Sequence, residues 1–131
     1  MANLGTAAIT HTGPKQPQHG GQVEAIQIVW TCATGAATFE LDDFGMYGSL
    51  LGIFTKPGAT APTDNSDLAV YNTGTTGVNV LGTNGDNIID NSTHNMATIT
   101  IPIPLCGRYD IVISNNAVND ATGTIIFYLR A

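Results

Sequence analysis

The chain has 131 residues, of which 43% are hydrophobic and only 11% charged, and its formal net charge is −6. That length fits one domain. The four basic residues, Lys15, Lys56, Arg108 and Arg130, cannot build a patch that neutralises phosphates, which excludes direct binding to DNA, RNA or anionic membranes.

No apolar run approaches the ~20 residues of a membrane span. The first residues lack the positive and apolar regions of a signal peptide, so synthesis in a cytosol is expected. Cys32 and Cys106 then read as free, buried thiols rather than a disulfide. Two cysteines and three scattered histidines show no zinc spacing, and no cofactor motif is present.

Residues 1–21 are rich in Gly, Pro, Thr, Gln and His, with Leu4 and Ile9 the only large apolar residues. Composition favours a disordered tail; an extended arm that orders across another subunit is the alternative. Residues 22–131 read as the folded domain. Residues 23–32 alternate with period two, placing Ile26, Ile28, Trp30 and Cys32 on one face. Ala37, Phe39 and Leu41 alternate with Thr38, Glu40 and Asp42, so Glu40 and the earlier Glu24 are expected to face solvent. Asp42 and Asp43 are adjacent, hence on opposite faces, and with Phe44-Gly45 they read as a turn.

Residues 50–56 are apolar on both faces, as in an interior or covered strand. Residues 57–65 carry Pro57, Gly58, Pro62 and Asp64 and read as a projecting loop that leads into a strand over 67–72, a hairpin-like arrangement. A short strand is expected at 78–81. The polar connection 82–95 offers Asp86 and Asp90 with Asn84, Asn87 and Asn91; this is a weak calcium pattern without a closing Glu, and an Asx-rich turn explains it better. Residues 96–103 place Ala97, Ile99, Ile101 and Ile103 on one face, with Pro102 and Pro104 ending the ladder. Strands at 108–113 and 122–130 close the chain.

No segment carries a convincing 3.6 period. Seven to eight strands separated by Gly, Asn, Pro and Thr turns predict an all-β fold, a single antiparallel β-sandwich of jelly-roll or Greek-key type with an extended N-terminal arm.

Nothing in the chain reads as catalytic. GxSxG, HExxH and a glycine-rich phosphate loop are all missing, and the one Ser–His neighbour pair, Ser92 with His94, lies in a loop. No enzyme, cofactor or metal site is therefore expected.

Two stretches resemble small virion proteins of tailed bacteriophages: residues 55–65 with Asp67-Leu68 and Val78-Asn79-Val80-Leu81-Gly82, and residues 107–115 with 122–129. The resemblance spans roughly residues 48–130 and implies a structural protein of the capsid decoration, or cement, type. It further implies a place on the capsid surface, assembly in the host bacterial cytoplasm, the major capsid protein as partner, and a homo-oligomer, trimer or dimer. A tail or neck accessory, or a fibre domain that binds a receptor or carbohydrate, is the alternative. Low charge and expected projection select Leu4, Ile9, Pro14, Pro57, Gly58, Pro62, Asp64, Asn87, Ile88 and His94 as interface residues.

Overall fold

A computed structural model describes residues 3–13, 23–72 and 77–130. Pro14, expected among the interface residues, lies outside them. The described residues are all β, without helix, and form one antiparallel sheet of six strands. These are β1 (Thr6–Thr12), β2 (Val23–Thr31), β3 (Phe39–Pro57), β4 (Asp67–Tyr71), β5 (Asn95–Ser114) and β6 (Thr122–Arg130), in the order β1-β2-β6-β3-β5-β4.

Where the period-two pattern is clean, it sets the inward face. Ile26, Ile28 and Trp30 of β2 and Ile125, Phe127 and Leu129 of β6 are buried, each at 3% exposure or less. The two strands pair along their whole length, from Val23–Arg130 to Thr31–Thr122.

The strand count differs from the sequence expectation because two long strands absorb four expected ones. β3 runs through Asp42-Asp43 and Gly45, and β5 runs through Pro102 and Pro104. Bulges make this possible. At the second of them, β3 advances two residues between the pairs Leu50–Ile103 and Gly52–Thr98 while β5 advances five. The surplus on β3 turns Leu51 away and lets both Leu50 and Ile53 point inward, fully buried. The surplus on β5 pushes Ile101 out to 81% exposure, against its expected place on the inner face. The prolines survive in β5 because β4 pairs only with the far end of that strand, Asp110–Ser114, which leaves the proline stretch a ladder on one side alone.

β4 pairs with β5, not with the strand that precedes it in the chain, so residues 50–72 are not a hairpin. Residues 78–81 are not a strand. They lie along the outer edge of β4, where Val80 N–H donates to Val70 C=O at 2.8 Å and Leu68 N–H donates to Gly85 C=O at 2.9 Å. A Cβ at Gly85 would stand 1.9 Å from the Leu68 carbonyl oxygen. Gly85→Ala should therefore lift this cover off β4 and lower stability by about 1–3 kcal/mol. Urea denaturation measures the loss, and hydrogen exchange at the Leu68 amide shows where it occurs.

The sheet curls on itself. β6 separates β2 from β3 in the strand order, yet the rings of Trp30 on β2 and Phe39 at the start of β3 are 5.7 Å apart. Leu4, just ahead of β1, pairs with Glu40 through two backbone hydrogen bonds of 2.9 Å. One core results, drawing on β2 to β6 and on Leu81, Ile88 and Ile89 of the long connection.

Composition pointed to disorder at the N-terminus, but residues 6–12 form β1 along β2. The strand is hard to recognise because it is a sheet edge, where small, polar, exposed residues such as Thr6, Ala8, Thr10 and Thr12 serve as well as apolar ones.

Candidate functional site

The unusual chemistry of the molecule sits at the first bulge of β3. Leu41 pairs with Ile111 and Phe44 with Tyr109, so Asp42 and Asp43 both lie opposite the single residue Asp110. Asp43 takes a left-handed conformation, φ 56°, and its N–H donates to Asp110 Oδ1 at 3.0 Å. Its own carboxylate and carbonyl point outward and accept from Arg108, Nε to Oδ1 at 2.7 Å and Nη2 to O at 2.7 Å. The pair is exposed on both sides, and the Asp43 contact raises the Arg108 pKa.

Asp42 turns the other way. Both of its carboxylate oxygens are buried without a hydrogen-bond donor among the described residues. Beside it lies Glu40, only 6% exposed. Burial raises the Glu40 pKa from its ordinary 4.5 to about 7, with further upward pressure from contact with the Asp42 carboxyl and from the charges of Asp42 and Asp110. The guanidinium of Arg108 is already engaged with Asp43. Negative charge close by in a dry place favours the protonated form of Glu40.

The N-terminal segment clamps this cluster. Asn3 Oδ1 accepts from Asp42 N–H at 2.7 Å, next to the Leu4–Glu40 bridge. Alternation placed Glu40 in solvent; the segment at residues 3–4 covers that position instead. The Asp42-Asp43 turn is a bulge inside a continuous strand, and its two side chains do leave on opposite sides. Two adjacent acids interrupting an alternating run were the one available sequence signal for this bulge.

Glu40 and Asp110 are buried, as are both carboxylate oxygens of Asp42. No group of three His, Cys, Asp or Glu side chains among the described residues is arranged to hold a metal ion.

The loop residues fall into several groups. Asp64 and Asp90 bring the two long connections together, each carboxyl shifting the other: Asp64 is raised chiefly by Asp90, and Asp90 is lowered chiefly by Asp64 and then by the Thr93 hydroxyl, which donates to it at 2.6 Å. Asn84 bonds the Leu81 carbonyl, and Asn87 N–H donates to Asp67 Oδ1 at 2.7 Å, as in an Asx-rich turn. Gly58 N–H donates to the Thr122 carbonyl at 2.8 Å, holding it and neighbouring Pro57 against the start of β6. His94 stacks on Phe54 with ring centres 5.5 Å apart. Leu4 and Ile9 are exposed at the β1 edge, far along the strand order from these loops.

Pro62 and Ile88, expected at a projecting surface, are buried within the chain and leave the surface set. The connection 83–95 is anchored rather than free, since the Ile88 carbonyl accepts from the Thr55 hydroxyl at 2.8 Å and from Asn95 Nδ2 at 2.8 Å. Both cysteines are free, but only Cys32 is buried; Cys106 is exposed, because it lies on the outer face opposite Tyr47. Burial raises the Cys32 pKa, which suits an inert core thiol.

Comparison with protein-family models, with curated proteins and with solved structures finds no match for this chain.

Proposed function

We propose that the chain is a non-enzymatic structural protein of a phage virion that docks on the major capsid protein at the capsid surface and stabilises it. The observation that carries this reading is the surface. Leu4, Ile9, Val23, Val29, Tyr47, Val78, Met96 and Ile101 are all exposed, from 39% to 81%, on a chain with 11% charged residues. Sparse charge and abundant Thr, Asn and Ala lower the desolvation cost of docking, and exposed apolar side chains supply the gain. In this reading the curled sheet acts as a two-layered sandwich of jelly-roll type, with β3 and β5 shared between the layers. The resemblance to decoration proteins over residues 48–130 points the same way.

The test adds the purified chain to particles from which its gene has been deleted. Saturable binding and a higher rupture temperature of the loaded particles are expected; no binding would refute the reading. Deleting residues 2–21 is unsuited to this purpose, because it removes β1 and the Leu4–Glu40 bridge from the fold itself.

One observation favours the second reading, a receptor- or carbohydrate-binding accessory. Tyr47 is 62% exposed and lies beside Arg108 on the outer face of β3 and β5. A sugar stacked on that ring would hydrogen-bond the guanidinium. A specific glycan-array signal that Tyr47→Ala abolishes would favour it.

A further inference from the structure

The two ends of the sheet are treated differently. The outer edge of β4 is covered by the chain's own residues 78–89 through a series of backbone hydrogen bonds. β1 is the other end, and among the described residues nothing bonds the outer backbone edge of Thr6–Thr12. It also lacks the devices that keep an edge from pairing: it has no lysine, no proline, no acid and no bulge, and all seven of its pairs with β2 run in register.

The core is open along this edge as well. Ala7, Ile9 and His11 pair with Trp30, Ile28 and Ile26, so they share the inward face, yet Ile9 remains 39% exposed.

We propose that this edge pairs antiparallel with the same strand of a second copy, about a two-fold axis at Ile9, so that one sheet runs through a dimer. The strand sequence Thr-Ala-Ala-Ile-Thr-His-Thr suits that symmetry. Ile9 meets its counterpart and closes the open stretch of core. Ala8 of one copy lies opposite Thr10 of the other, and Thr6 opposite Thr12, all small and uncharged. Ala7 lies opposite His11, whose ring is held by Glu24 of its own chain at 2.9 Å. A partner of different sequence would have to match these small side chains; a second copy does so by symmetry. The inference is independent of whether the protein acts on a capsid.

Paired variants test the register. Residues directly opposite each other tolerate opposite charges and reject like ones. Sedimentation velocity of the natural chain from about 1 to 100 μM should show a dimer. Ala8→Lys with Thr10→Lys, and separately Ala8→Glu with Thr10→Glu, should weaken it at least ~10-fold, while Ala8→Glu with Thr10→Lys should remain dimeric. Far-UV circular dichroism verifies the fold of each, and two like-charge variants are used so that one folded example is enough. A natural chain that stays monomeric overturns the proposal. So does a folded like-charge variant that stays dimeric, or a mixed-charge variant that dissociates as the like-charge ones do.

Discussion

Glu40→Gln stabilises the protein at pH 8 and leaves it nearly unchanged at pH 4. In the natural chain, folding raises the Glu40 pKa from 4.5 to about 7. Between those values the folded state holds a proton that the unfolded chain has lost, so stability falls as pH rises through the window and levels off above it. A shift of that size corresponds to at most ~3 kcal/mol. Gln is uncharged at every pH, and its amide can donate to the Asp42 oxygens that otherwise have no donor among the described residues. The variant should therefore exceed the natural protein by about 1–3 kcal/mol at pH 8, or roughly 5–10 °C in Tm. The gain should vanish below pH 4.5. Thermal denaturation of both proteins at matched pH values measures it, and a gain that does not vary with pH would show that Glu40 does not titrate in this window.

Trp30→Ala has the largest expected effect among core substitutions. The indole is 1% exposed and meets Phe39 across the curl of the sheet. It also lies over Gly123, where a Cβ would stand 2.6 Å from Cζ2 of the indole and 2.9 Å from the Lys56 carbonyl oxygen. Removing the indole should cost ~3–5 kcal/mol, a large part of the ~5–15 kcal/mol that holds a domain together. Gly123→Ala alone should cost ~1–3 kcal/mol by overpacking. The two together should cost less than their sum, because the new methyl enters space that the indole has vacated. Chemical denaturation of the four proteins completes the cycle. A loss below ~1 kcal/mol for Trp30→Ala would mean that the sheet does not close over this side chain.

What could be read from the sequence follows from where each strand sits. β2 and β6 lie inside the sheet with one face to the core, so hydrophobic alternation found them directly. β3 and β5 looked like two strands each, because Asp42-Asp43 with Gly45, and Pro102 with Pro104, read as strand ends although both strands run through them. β1 gave no signal, since an exposed edge does not demand apolar residues. Residues 78–81 read as a strand, and the connection 82–95 as projecting because its Gly and Asn residues are those of any turn; that residues 78–89 run along β4 depends on contacts with residues far away in the chain. The same holds for the carboxyl cluster. Glu40 is buried by Asn3 and Leu4, nearly forty positions earlier, and no local pattern encodes that meeting.

The proposal of a capsid-bound structural protein stands or falls on where the chain is found after infection. Particles banded in a density gradient and quantified by mass spectrometry should carry it at a fixed ratio to the major capsid protein across the whole band. A chain that stays in the soluble fraction, with none in the band, would contradict the account.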